Sequence, residues 1–138
     1  MFKEGPYARN RQFVLQLDCG VPVLAVQNDV GGYEAQMRMH ILAVEFYLAS
    51  LGATSGQTTI DLKVNGTSIL AAAVSIAYNA ATKRARVIPA GSAANPLAGE
   101  PNGVVINPGD YIRADVTAIP GTASQGLAVY LLCVMQDV

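Results

Sequence analysis

The chain predicts an all-β fold: an antiparallel β-sandwich, jelly-roll-like, with an extended N-terminal arm. Three observations carry that expectation. Short runs alternate apolar and polar residues with the two-residue period of a half-buried strand. Gly, Pro, Asn and Asp gather between those runs, where turns require them. The length of 138 residues suits one hydrophobic core of ordinary size. The pattern is cleanest near the end of the chain. Asn107-Pro108-Gly109-Asp110 reads as a turn, and residues 111–119 then alternate. Ile112, Ala114, Val116 and Ala118 share one face there, Tyr111, Arg113, Asp115 and Thr117 the other. Pro120-Gly121 and the small residues 122–126 form a loop before the apolar strand 127–135.

From the N-terminus, residues 1–10 lack periodicity and read as the start of an arm that extends to residue 32. Within it, 11–17 alternates, with Phe13, Leu15 and Leu17 opposed to Gln12, Val14 and Gln16, as a first strand would. After Asp18-Cys19-Gly20, Pro22 favours an edge position for 21–26, because proline cannot donate to a ladder. Asn28-Asp29-Val30-Gly31-Gly32 is expected to be a flexible hinge between arm (1–32) and sandwich (33–138).

Residues 33–51 fit either a helix or a strand by periodicity. Aromatic and β-branched content and the flanking glycines favour strand, with Leu42, Val44, Phe46 and Leu48 on one face. Ile41, Ala43, Glu45 and Tyr47 take the other. Residues 58–64 turn Ile60, Leu62 and Val64 inward and Thr59, Asp61 and Lys63 outward. Asn65-Gly66 then supplies the two positive-φ residues of a type I′ hairpin before 67–70. Ala71-Ala72-Ala73 fits a strand or a short helix equally. Residues 74–78 and 83–88 are expected to form a second hairpin, with Lys83, Arg84 and Arg86 at its solvated tip. Residues 89–103 make a long surface loop, and 104–106 a short strand.

Composition narrows the possible functions. Apolar residues make up 51% of the chain and charged residues 14%, well below the roughly 25% of an ordinary globular domain. So little charge leaves apolar surface to be covered by other subunits, which predicts a homo-oligomer. A net charge of −1 gives no electrostatic basis for nucleic acid or an anionic membrane. The opening residues show no signal-peptide pattern, and no apolar run approaches the roughly 20 residues of a membrane helix. A soluble protein made in a cytoplasm is expected.

Catalytic equipment is sparse. His40 is the only histidine, so a multi-histidine metal site is excluded, and no Gly-x-Ser-x-Gly elbow accompanies it. A hydrogen-bonded strand histidine is the expectation. Glu45, Asp61 and Asp115 fall on outward positions interleaved with Lys63 and Arg113, which suggests cross-strand ion pairs rather than paired catalytic acids. Asp110 is expected to hydrogen-bond its own turn. Cys133 shares the parity of Leu127, Val129 and Leu131 and should be a buried thiol; Cys19 lies at a turn. No enzyme activity, cofactor or metal is expected.

Three stretches carry a resemblance: Val44-Glu45-Phe46-Tyr47-Leu48, the run Thr59-Ile60-Asp61-Leu62-Lys63-Val64-Asn65-Gly66-Thr67, and Ile106-Asn107-Pro108-Gly109-Asp110-Tyr111-Ile112. Over residues 40–135 the chain resembles small β-sandwich proteins of tailed bacteriophages: capsid decoration (cement) proteins, head fibres and receptor-binding tips. The resemblance implies a homotrimer on the virion surface, bound to the major capsid protein by a terminal arm. On that expectation Ala43, Glu45, Tyr47, Tyr111 and Arg113 form the subunit interface. Lys3, Tyr7, Arg9, Arg11 and Phe13 contact the shell. The alternative is a fibre tip that binds a receptor or glycan through loops 52–57, 89–103 and 121–126.

Overall fold

The computed structural model describes residues 12–17, 19–20, 22–87 and 104–135. They fold as ten strands: β1 Gln12–Leu17, β2 Gln27–Glu34, β3 Met39–Ser50, β4 Gln57–Val64, β5 Thr67–Ser68, β6 Val74–Ala77, β7 Arg84–Val87, β8 Val104–Ile106, β9 Tyr111–Ala118 and β10 Gln125–Met135. One sheet runs β1-β10-β3-β7, with β8 also paired to β3; the other runs β2-β9-β4-β5, with β6 also paired to β4. Every pairing is antiparallel. The first strand pairs with the last and the second with the penultimate. This nested order is a jelly-roll winding.

The core lies between the sheets. Leu17, Val44, Phe46, Leu48, Val129 and Leu131 face Ile60, Leu62, Ile112 and Val116, all fully or almost fully buried. Two hydroxyls join the layers inside this apolar volume, Thr58 Oγ1 donating to Ser124 Oγ over 2.7 Å. The pairing satisfies polar groups that burial would otherwise penalise.

Several elements depart from the sequence expectation. The described residues between 12 and 32 do not form an arm. β1 pairs with β10 over its whole length, and β2 pairs with β9, so the predicted boundary at residue 32 falls inside a strand. The expected hinge glycines lie in β2, and at Gly32 space, not flexibility, is needed: a Cβ there would collide with the Tyr111 phenol. The predicted strand at 21–26 shrinks to a single bridge between Val23 and Gln125. Residues 33–51 are split by a turn, and β3 itself switches parity. Leu132 pairs with Ala43 but Cys133 with Ile41, so Leu42 is the extra residue of a bulge. Hence Ile41 is buried, against expectation, and Leu42 is half-buried. β6 and β7 do not form a hairpin, since each pairs into a different sheet.

The turn motifs behave as read. Asn65 and Gly66 have φ of 52° and 84°, the left-handed pair of a type I′ turn. Asp110 Oδ2 accepts the Asn107 amide at 2.9 Å, and Asp110 Oδ1 accepts from Asn65 Nδ2 at 2.9 Å. The two motifs therefore lock together.

Candidate functional site

The two outer faces of the sandwich differ in chemistry. On the β2-β9-β4 face a carboxylate sits at the centre of a polar network. Asp115 is fully buried although it points outward from the core. Its Oδ1 accepts the Asp29 amide at 2.8 Å and Arg113 Nε at 3.1 Å, while Lys63 Nζ lies 3.1 Å from Oδ2. Burial alone would raise the Asp115 pKa. The Asp29 amide, Lys63 and Arg113 outweigh it and hold the carboxyl below its ordinary value.

Interleaved charges do make ion pairs here, but not directly across the strands. Register sets Asp61 opposite Asp115 and Lys63 opposite Arg113. Like charges therefore face each other, and the attraction runs diagonally and along β9. Asp61 is tied off by Ser68 Oγ at 2.6 Å. The Tyr111 hydroxyl donates to both carboxylate oxygens of Asp29, at 3.1 and 3.0 Å. Burial, then the bond to Asp29 and its charge, raise the phenol above its usual pKa, against a lowering by Arg113. These groups answer one another. The arrangement pins the bulged start of β2 to β9 and β4.

The outer face of the β1-β10-β3-β7 sheet is apolar toward β1 and β10 and carries Glu45, Arg84 and Arg86 toward β7. Val14 and Tyr47 are exposed, at 63% and 43%. Leu42, Ala128, Tyr130, Leu132 and Val134 are half-buried beside them. A shallow groove of about 340 Å³ opens here, lined by Val14, Ala43, Val44, Glu45, Arg86, Tyr130 and Leu132. Glu45 and Arg86 are register partners at its rim.

Of the sequence-predicted interface residues, the structure brings Ala43, Glu45 and Tyr47 together on this face. Tyr111 and Arg113 lie on the other sheet, so the five do not form one patch. Parity made them equivalent, but parity does not tell which sheet a strand joins. Phe13 is half-buried on the inner side of β1, packed against the core rather than presented to a shell. Lys3, Tyr7, Arg9 and Arg11, and the loop 89–103, lie outside the described residues. The groove residues Tyr130 and Leu132 were missed; their alternation with Val129, Leu131 and Cys133 was the available signal.

His40 differs from expectation: its Nε2 is buried with no hydrogen-bond partner among the described residues. Cys133 is buried, as expected, and burial pushes its thiol up to about 12. No disulfide joins it to Cys19. Loops 52–57 and 121–126 are zipped by the Ala53–Thr122 bridge and by Gly121 N donating to Ser55 O at 2.8 Å. Among the described residues no group of three or more His, Cys, Asp or Glu side chains is placed to hold a metal. Comparison with family models, curated proteins and solved structures gives no match.

Proposed function

We propose that this chain is a structural protein that works by surface contact and assembly, as a capsid decoration protein does. The apolar outer face of the β1-β10-β3-β7 sheet carries the reading. Its exposed Val14 and Tyr47 flank a groove lined by Ala43 and Leu132, and a solitary molecule would leave them in water. Copies of the chain cover this face, through Ala43, Glu45 and Tyr47, and the assembled protein seats on the major capsid protein. Glu45 and Arg86 at the rim give that contact its orientation, since charge complementarity fixes register more than affinity.

The test has two arms. The mass of the intact full-length chain in solution should be a multiple of the monomer, and Tyr47→Asp should lower it while leaving the β-sheet circular dichroism unchanged. The wild-type protein should co-sediment with empty phage capsids and not with host-envelope vesicles. A chain that stays monomeric and sediments with neither overturns the reading. Envelope binding without capsid binding would instead favour a receptor-binding tip, for which the rigid pairing of loops 52–57 and 121–126 is the supporting observation.

A further inference from the structure

We infer that β1 is a second self-association element: two copies of this chain pair edge to edge through residues 12–16, antiparallel, about a two-fold axis at Val14. This goes beyond the assembly proposed above and does not depend on it.

The first argument is a comparison of sheet edges. An edge strand offers unpaired N–H and C=O groups to any extended chain, and proteins blunt such edges with charge, shortness, bulges or proline. Five of the edge strands here are blunted. β7 carries exposed Arg84 and Arg86. β8 has three residues and β5 two. β6 has four and ends in turn. β2 holds a bulge, Gly31-Gly32 and Asp29 with a φ of 55°. β1 has none of these devices. It is six residues of Gln-Phe-Val-Leu-Gln-Leu, without charge, proline or glycine, in unbroken register with β10. Among the described residues no strand pairs with its other side.

The second argument identifies the occupant. Antiparallel neighbours on one sheet face must share parity, so a two-fold pairing of β1 centres on a residue rather than between two. Centred on Val14, it sets Val14 against its own copy and Gln12 against Gln16 of the second copy, twice. Both glutamine pairs are exposed and can exchange amide hydrogen bonds. On the inner face the same register sets Phe13 against Leu15. These two are only half-buried, because the sheet stops beside them; a second copy would complete their burial. No like charges meet anywhere in the pair. The contact is isologous and closes on itself, which also removes an uncharged edge that would otherwise template open-ended stacking. A contact of this size belongs at the weak end of specific interfaces, so it should form at micromolar rather than nanomolar concentration.

The experiment is a set of charge substitutions at the exposed glutamines in the full chain, read by sedimentation equilibrium. Gln12→Lys with Gln16→Lys, and separately Gln12→Glu with Gln16→Glu, place like charges opposite in both pairs. Each should weaken the two-fold contact about tenfold. Gln12→Lys with Gln16→Glu places opposite charges in both pairs and should associate at least as well as wild type. That variant also controls for folding. Tyr47→Asp should leave this contact intact while it disrupts the face. Three results overturn the inference: a wild type with no two-fold contact at about 100 μM, charge variants that all behave alike, or an association that merely tracks net charge.

Discussion

Removing the Asp115 carboxylate tests whether the polar network holds the second sheet together. Asp115→Asn keeps an oxygen for the Asp29 amide but loses the charge between Lys63 and Arg113, and its amide group points donors at donors. Removing one partner of a fully buried ion pair costs about 3–5 kcal/mol. Lys63 and Arg113 are each 26% exposed and can turn toward water, which reduces the penalty. Relief of the Asp61–Asp115 opposition reduces it further. A loss of about 2–3 kcal/mol is expected, or roughly 6–10 °C in Tm for a domain of this size. The chain has no tryptophan, so urea unfolding is best followed by circular dichroism, at one fixed protein concentration. Acid supplies a second readout. A folded pKa held below the unfolded value means the unfolded chain binds the proton more readily. The carboxylate's contribution is then present above about pH 4 and is lost as pH falls through the folded value. Wild-type stability should fall on acidification below pH 4 by more than that of Asp115→Asn. A variant within about 0.5 kcal/mol of wild type, with an unchanged acid profile, would refute the reasoning.

Gly32→Ala should destabilise by about 1–3 kcal/mol, because its Cβ meets the Tyr111 hydroxyl; with Tyr111→Ala the two losses should not add, as a double-mutant cycle in urea would show. His40→Leu should be neutral or stabilising by up to about 1 kcal/mol, since it removes a buried nitrogen without a partner; a clear loss in thermal unfolding would assign His40 an unseen interaction. Cys133 should resist maleimide in the native protein at pH 8 and react once urea unfolds it, with peptide mass spectrometry locating the label.

What the sequence made legible follows from what is local. The Asn65-Gly66 turn and the Asn107 to Asp110 turn depend on backbone conformations that few residues adopt, and both stand where read. Alternation in residues 58–64 and 111–116 named the core side correctly, but β9 then bulges at Thr117. Val116 pairs with Ile60 and Ala118 with Thr59, so Ala118 leaves the core face that the alternation assigned to it. The failures share another cause. The bulge at Leu42 shifts the parity of β3 midway, and no residue type announces it. Gly31-Gly32 reads as a hinge when only its neighbours in sequence are considered. Gly32 is in fact clearance for a phenol that lies 79 positions further along the chain. Asp115 was assigned to an outward position, which is right, yet its complete burial depends on Lys63 from β4 and the Asp29 amide from β2 converging over it. Pairing across sheets likewise decides that Ala43 and Arg113 face opposite directions.

The scarcity of charge, which first suggested assembly, acquires a location in the fold. Had it reflected only a large core, both outer faces would be comparably polar. Instead Asp29, Asp61, Lys63, Arg113 and Asp115 are concentrated on one face, where they largely neutralise one another. The opposite face keeps Glu45, Arg84 and Arg86 toward one edge and leaves Val14, Tyr130 and Leu132 toward the other. Charge therefore thins out across the β1-β10-β3-β7 sheet in the direction of β10 and β1, neither of which carries a charged residue. Solvation weakens along the same line as backbone hydrogen-bonding capacity becomes free. A partner approaching from that side meets apolar side chains and open amides together, the combination that lets strand pairing and face contact reinforce each other.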